Sequence, residues 1–184
     1  MDRHETLLNP KHSALLIIDV QERFVPVISD VDLLEKNILT LIRGCRLFDI
    51  PIFYTEQYPK GLGKTIPTIR SLLDDVSPVE KLRFSACVES LLETLITRDV
   101  KQLVIVGIET HVCILQTALD FTNQGYQVHV VQDAVGSRDV ENKRNAIARM
   151  RQEGVIITCT ESVLFEMAET AKSPVFREIS NLVK

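Results

Sequence analysis

The stretch LVIVGIETHVCILQTALD, residues 103–120, joins a run of apolar residues to a segment in which apolar residues recur at helical spacing. The run at 103–106 is continuous rather than alternating, which is typical of a strand covered on both faces. The helical segment begins near Thr110, a residue type that favours the N-cap position. The pattern predicts a strand, a turn at residues 107–113 and a helix, with Cys113 in the first helical turn.

Other parts of the chain repeat this alternation of apolar runs and helical segments. The remaining apolar runs are residues 14–18, 50–54, 128–131 and 155–157. The helical segments with the clearest spacing are residues 31–48, 87–98 and 139–153. A further short strand is expected within residues 77–81. Strands alternating with helices predict a three-layer α/β/α doubly wound, Rossmann-like domain with a mainly parallel sheet of about six strands in the order 3-2-1-4-5-6.

The composition suits one domain, expected to span residues 1–184, because 45% hydrophobic and 25% charged residues allow a sizeable core. The formal net charge is −4 and the Lys and Arg residues are scattered, so no nucleic-acid partner is expected. No apolar run approaches membrane-spanning length and the N-terminal residues do not resemble a secretory signal, so we expect no membrane partner and a cytoplasmic location. The four cysteines lack CxxC spacing and are expected to be reduced.

The predicted fold places a ligand site at the carboxyl ends of the first and fourth strands. In the order 3-2-1-4-5-6 the winding reverses there, and open parallel sheets bind ligands at this point. Asp19 follows the first strand and the 107–113 turn follows the fourth, so the two are expected to face each other. Cys113 at a helix N-terminus can act as a nucleophile, with Asp19 as general base. The alternatives are an inert, buried Cys113 and an Asp19 that only bonds loop amides.

Three sequence motifs resemble those of a known family. LLIIDVQERF (residues 15–24), EKLRFSA (80–86) and GIETHVCILQTALD (107–120) are similar to motifs of the isochorismatase-like cysteine hydrolases, which include nicotinamidases and carbamoylases. Together with VVQDAVGSR (130–138), the resemblance runs in order from residue 13 to residue 160. It therefore covers most of the chain and implies hydrolase activity.

The resemblance implies a catalytic triad of Asp19, Lys81 and Cys113. In such enzymes the aspartate is the general base toward the thiol, the cysteine attacks a carbonyl carbon, and the lysine lies beside both. The Lys81 cation is expected to keep the carboxylate and the thiolate ionised together. Without the resemblance, Lys81 reads as a solvated surface lysine. The family also has a cis peptide bond, which falls between Ile108 and Glu109, and an oxyanion hole formed by the amides of Glu109 and Cys113.

Four residues are candidates for contact with substrate: Gln21, Phe24, Gln57 and Tyr58. Phe24 matches a residue of the first motif that resembles a pocket wall, and Gln21 belongs to the same motif. Gln57 and Tyr58 lie in the tract EQYPKGLGKTIP, residues 56–67, which is expected to overhang the pocket mouth. The alternatives are that Gln21 only orients its loop, that Phe24 is an ordinary partly buried aromatic and that the other two are surface residues.

The histidines argue against a metal site. Nicotinamidases of this family bind a divalent metal through an Asp and two histidines after the second strand, where this chain has TEQY at residues 55–58. The histidines of the chain are His4, His12, His111 and His129. We therefore expect no metal and no other cofactor, and a metal-dependent nicotinamidase is disfavoured. His111 precedes Cys113 by two positions, which directs it off the helix face of the cysteine, so it is not expected to be catalytic.

Cys113 favours a hydrolase that attacks a C–N bond of a small amide, ureide or carbamoyl compound through a thioester, because relatives that cleave a vinyl ether need no thiol. The alternative is a catalytically idle family member that acts as an oligomeric scaffold or binding module. The resemblance implies a homo-oligomer, a dimer or higher. An apolar helix expected from Ser173 onward has two possible partners, the domain itself or another subunit. The expected partner of the site is a small-molecule substrate.

Overall fold

The structure, a computed structural model, describes residues 3–184, and these contain a six-stranded sheet. The strands are β1 (Ser13–Ile18), β2 (Ile52–Gln57), β3 (Val79–Lys81), β4 (Gln102–Ile108), β5 (Gln127–Gly136) and β6 (Ile156–Thr158). All neighbouring strands are parallel, and their order is β3-β2-β1-β4-β5-β6. The predicted fold class and strand order are confirmed.

Helices connect the strands and cover both faces of the sheet. Within the described residues they are α1 (Val31–Leu47), α2 (Pro59–Leu62), α3 (Pro67–Arg70), α4 (Glu89–Thr97), α5 (Leu115–Asn123), α6 (Val140–Gln152), α7 (Thr160–Ala168) and α8 (Phe176–Leu182). Asp139 caps α6, because its side chain accepts the backbone N–H groups of Glu141 and Asn142. Between residues 3 and 184, none of the helices has the length and apolar character that crossing a membrane requires.

The core is divided into two layers by the sheet. On one face α1, α7 and α8 contribute buried residues such as Ile38, Leu164 and Ile179. On the other face α4, α5 and α6 contribute residues such as Leu95 and Phe121. Alternate residues of β1 face the two layers, which explains why its apolar run is continuous. The C-terminal helix α8 contacts α1 and α7, so it packs on the domain.

The ends of β1 and β4 approach each other closely at the point where the winding reverses. Gly107 has a φ of 119°, and a Cβ at this position would lie 2.1 Å from the Ile18 carbonyl oxygen. Only glycine fits such a backbone conformation at this distance. Asp19, which follows β1 directly, has a φ of 52°, a left-handed conformation that aspartate tolerates better than most residues. The chain therefore turns sharply at the carboxyl end of both strands.

Candidate active site

Asp19 is buried at the carboxyl end of β1, where it holds two partners. Its Oδ2 lies 2.6 Å from Lys81 Nζ, and both side chains are only 1% exposed. Its Oδ1 accepts a hydrogen bond from the Thr55 hydroxyl at 2.7 Å. Thr55 is on the neighbouring strand β2, in register with Ile18 of β1. Both carboxylate oxygens are thus fixed by residues of adjacent strands.

Lys81, the last residue of β3, is brought to Asp19 by strand pairing. Gln57 of β2 lies opposite Lys81 in the parallel register, and the Gln57 Oε1 accepts from Lys81 Nζ at 2.9 Å. The ammonium also donates to the backbone carbonyl oxygens of Phe84, at 2.9 Å, and Arg83, at 3.3 Å. The buried charge is therefore matched by a carboxylate and three further acceptors, as a charge removed from water requires.

Cys113 is 6% exposed and lies in one turn of π-helix, Thr110–Ile114, that leads into α5. The pKa of the thiol is influenced by the charges of Asp19 and Lys81 and by the backbone N–H of Glu109, so these three groups lie near the sulfur. Lys81 and Cys113 follow Asp19 by 62 and 94 residues in the sequence. The structure brings all three together. Single turns of π-helix are often found at functional sites.

The ionisation of Cys113 differs from the expected state. Burial raises the pKa of the thiol to about 12, and the negative charge of Asp19 raises it as well. The Lys81 cation and the Glu109 N–H lower the pKa, but by less. The expectation that Lys81 keeps the carboxylate and the thiolate ionised together is therefore wrong for the resting protein: the thiol is protonated at neutral pH, and the Lys81 cation is matched by Asp19.

The turn that carries Cys113 is bonded to the end of β5 through three consecutive side chains. The pairs are Glu109 with Arg138, Thr110 with Gly136 and His111 with Ser137. The Thr110 hydroxyl donates to the Gly136 carbonyl oxygen at 2.9 Å, and Glu109 occupies the cap position, so the prediction of Thr110 as N-cap is wrong. His111 Nδ1 lies 3.0 Å from Ser137 Oγ, which gives His111 a structural contact. The peptide bond between Ile108 and Glu109 is cis.

A pocket of about 410 Å³ opens above Cys113. Its walls are mostly apolar and are formed by Phe24, Tyr58, Leu62, Phe84 and Val112. The polar residues that line it are Gln57, Glu109 and Arg138. This volume is near the lower end of the range for small-molecule sites, which favours a small ligand.

Three of the four residues that the sequence suggested as substrate contacts line the pocket, and one does not. Phe24, Gln57 and Tyr58 line the pocket, and Tyr58 is 51% exposed. Gln21 is fully buried and does not line it. Its amide accepts the Gln57 N–H at 2.8 Å and donates to the carbonyl oxygens of Gln57 and Gly63. The prediction of Gln21 as a substrate contact is therefore unsupported, and its bonds give the alternative role of orienting the loop.

Sequence reasoning did not single out several residues of the site. In the sequence, Thr55 stands out only because relatives have a metal site at residues 55–58, yet its hydroxyl donates to Asp19 and fixes that carboxylate. Arg138 is the last residue of the motif VVQDAVGSR, and a charged residue within a family motif is a signal that could have identified it. Within residues 3–184, no three His, Cys, Asp or Glu side chains are grouped closely enough to hold a metal ion.

Comparison with known proteins gives the family. Residues 13–162 match the isochorismatase domain family. Isochorismatase domain-containing protein 2 of Danio rerio is 40% identical over 177 residues, which cover 96% of this chain and 89% of that protein. The structure of the MAR1 ribonuclease from Caenorhabditis elegans has a TM-score of 0.91 at 37% identity, and the match covers 96% of this chain and 91% of that one. The YcaC gene product of Escherichia coli, described as an octameric hydrolase of unknown specificity, shares the fold with a TM-score of 0.86 at 22% identity, over 99% and 97% of the two chains. The chain belongs to the isochorismatase family.

Proposed function

We propose that the protein is a cysteine hydrolase that cleaves a C–N bond of a small amide, ureide or carbamoyl compound through a thioester intermediate. Membership of the isochorismatase family supports a hydrolytic role. The observation that carries the finer proposal is that the Cys113 thiol lies near a carboxylate, Asp19, that is itself fixed by Lys81 and Thr55. A nucleophile beside an oriented base is the arrangement that covalent catalysis requires.

The first half of the reaction uses Asp19 as proton acceptor. Because the resting thiol is protonated, Asp19 takes its proton as the sulfur forms a bond to the substrate carbonyl carbon. The negative charge that develops on the carbonyl oxygen is stabilised by the backbone N–H groups of Glu109 and Cys113. The proton then passes from Asp19 to the nitrogen, the C–N bond breaks, and ammonia or an amine leaves.

The second half regenerates the thiol. Asp19, again a carboxylate, accepts a proton from a water molecule that attacks the thioester carbon, and the C–S bond breaks as the proton returns to sulfur. Lys81 does not exchange protons in this scheme. It holds the Asp19 carboxylate oriented and charged beside the thiol, since a buried carboxylate without a counter-ion is strongly disfavoured.

The apolar walls and small volume of the pocket support a small-molecule substrate rather than a polymer. The Caenorhabditis elegans relative is named a ribonuclease, but this chain has a net charge of −4 and its Lys81 is matched by acceptors, so we do not propose that activity here. We further propose a homo-oligomer and a cytoplasmic location, and the octameric state described for the Escherichia coli protein motivates a test of the former by light scattering.

The test of the proposed function is ammonia release from a panel of small amides, ureides and carbamoyl compounds. The wild-type chain is expected to release ammonia from at least one compound, and Cys113→Ala is expected to abolish release while melting within a few degrees of the wild type. Cys159→Ala is the matched control, because the Cys159 thiol lies outside the site and is hydrogen-bonded to Ser162; this variant should stay active. Unchanged turnover by Cys113→Ala would contradict the assignment of Cys113 as nucleophile. The absence of turnover on the whole panel would favour the alternative of a catalytically idle family member that acts as a scaffold.

A further inference from the structure

A loop of the pocket wall is fastened to the sheet by a carboxylate that the proposed reaction does not use. Residues 58–65 form this pocket loop, which follows β2 and contributes Tyr58 and Leu62 to the walls of the candidate active site. At the far end of the loop, the backbone N–H of Thr65 donates to Glu56 Oε1 at 2.7 Å. The bond joins residues nine positions apart in the sequence and thereby closes the loop.

The charge of Glu56 is buried. The residue is 4% exposed, and within residues 3–184 no Lys, Arg or His side chain forms an ion pair with it. Burial of a carboxylate without a cation is unfavourable unless strong hydrogen bonds compensate. A hydrogen bond to a carboxylate is charge-assisted and stronger than one to a neutral amide. The burial of Glu56 is therefore offset in part by a firm hold on Thr65.

The pocket loop itself has little contact with the core. Between residues 58 and 64, Tyr58, Lys60 and Lys64 are exposed and the others are only partly buried. Thr65 is buried, but its hydroxyl has no hydrogen-bond partner in the part of the chain that the structure describes. Opening of the loop would return this hydroxyl and the Glu56 carboxylate to water, which is favourable for both groups. The closed position therefore depends on a small number of bonds.

The other bonds of the pocket loop join it to residues 20–23, which lie in a loop themselves. The backbone N–H groups of Glu22 and Arg23 donate to carbonyl oxygens of the pocket loop at 3.0 and 3.3 Å. The Gln21 amide donates to the Gly63 carbonyl oxygen at 2.7 Å. Glu56, in contrast, belongs to β2, the strand that also supplies partners to the triad. Its bond therefore ties the far end of the loop to the sheet.

We infer that Glu56 is a positioning residue that sets the width of the pocket above Cys113. It acts through Tyr58 and Leu62, because its bond to Thr65 fixes where the loop that carries these two walls lies. The inference deepens the proposed function, on which it rests for its meaning in catalysis. With the loop closed, the pocket of about 410 Å³ admits small substrates and excludes larger ones of the same chemistry.

Two alkylating reagents with the same reactive group test this inference without the need for a known substrate. Iodoacetamide is small, and its N-naphthyl derivative presents the same reacting carbon together with a bulky, uncharged ring system. The rate constant for Cys113 is measured with each reagent at one alkaline pH by peptide mass analysis, and each is divided by the rate constant for 2-mercaptoethanol. Because both reagents need the thiolate, the ratio of the two normalised rates is independent of how far the buried thiol is ionised.

The ratio of the naphthyl reagent to iodoacetamide is expected to be well below unity in the wild type. Glu56→Ala removes the acceptor of the Thr65 N–H and should raise the ratio by about tenfold. Glu56→Gln keeps a neutral acceptor and should give an intermediate ratio. Glu80→Ala is the matched control, because Glu80 lies opposite Glu56 in the register of β2 and β3 but is exposed, and it should leave the ratio unchanged.

Leu62→Ala tests whether Glu56 acts through the pocket loop. This variant widens the pocket directly and should raise the ratio without any change at the anchor. Once Glu56→Ala has released the loop, Leu62 no longer forms the wall, so the double variant should raise the ratio by less than the product of the two single effects. Effects that multiply fully would overturn the route through the loop.

Cys45 distinguishes release of the loop from unfolding of the domain. Its thiol is 0% exposed, so it reacts only when the domain unfolds. If Glu56→Ala labels Cys45 as fast as Cys113, the comparison of Glu56→Gln with the wild type decides the question. A ratio that is the same in the wild type and in folded Glu56 variants overturns the inference even when the amide panel succeeds. A ratio that depends on Glu56 while Cys45 stays unlabelled supports it even when the panel fails.

Discussion

Replacement of Lys81 by methionine would leave the Asp19 carboxylate buried without its counter-ion. The pair is 1% exposed on both sides and its atoms are 2.6 Å apart, so water does not screen it. Removal of one partner from such a pair costs about 3–5 kcal/mol of unfolding free energy, because the remaining charge is desolvated and unmatched. We therefore expect Lys81→Met to lose about 3–5 kcal/mol of stability and all turnover.

The double variant separates the charge effect from loss of packing. Asp19→Asn leaves Lys81 with three other acceptors, so it should cost less, about 2 kcal/mol. Asp19→Asn combined with Lys81→Met removes both charges and should cost less than the sum of the single changes by about 2 kcal/mol or more. Partial recovery is expected, because the carbonyl oxygens of Arg83 and Phe84 still lose their donor.

Urea unfolding at neutral pH, followed by circular dichroism, measures these free energies. Lys101→Met is the matched control: Lys101 pairs with Asp99 at 2.9 Å, but its side chain is 66% exposed, so its loss should leave the unfolding free energy close to that of the wild type. A loss for Lys81→Met as small as that of the control, or strictly additive losses in the double variant, would refute the view that Lys81 neutralises a buried carboxylate.

Two further predictions follow from the same end of the sheet. The negative charge of Asp19 contributes to the raised pKa of Cys113, so Asp19→Asn should lower that pKa. Alkylation of Cys113 at mildly alkaline pH should then be faster than in the wild type, while turnover falls. Slower alkylation in this variant would contradict the electrostatic account. Gly107→Ala should lower the unfolding free energy in urea by more than about 3 kcal/mol, because the new Cβ would clash with the Ile18 carbonyl oxygen and alanine would be held at a positive φ. Gly125→Ala is the control, with a φ of 85° and no atom within 4 Å of the new Cβ, and should cost about 1 kcal/mol. Equal losses in the two variants would contradict the explanation by close approach.

The fold was predictable because its two central strands, β1 and β4, are buried on both faces. The continuous apolar run of β1 faces the two core layers alternately, and the same holds for β4, so periodicity distinguishes these strands from the helices. The strand order then predicts that Asp19 lies opposite the 107–113 turn. The shortest strand, β3, was predicted only as part of residues 77–81, since three residues carry too little pattern to fix its bounds.

The chemistry of the site was less accessible from the sequence. Nothing in the spacing of Lys81 shows that it is buried, because its burial depends on the register between β2 and β3; only the family resemblance identified it. The protonation of Cys113 depends on how much water the folded pocket excludes, which no linear motif encodes. Thr110 matches an N-cap by residue type, but its hydroxyl donates a hydrogen bond to the Gly136 carbonyl oxygen instead of accepting one from a helix N–H. The catalytic roles of Asp19, Lys81 and Cys113 stay predictions.

The most direct test of the central claim is detection of the covalent intermediate on Cys113. Wild-type protein is mixed with each amide of the panel, quenched in acid during turnover, and examined by intact-mass and peptide mass spectrometry. We expect the mass of the acyl group on the peptide that contains Cys113, its loss after treatment with hydroxylamine, and its absence in Cys113→Ala. Ammonia release with no acyl group on Cys113, or with the acyl group on another residue, would contradict the mechanism.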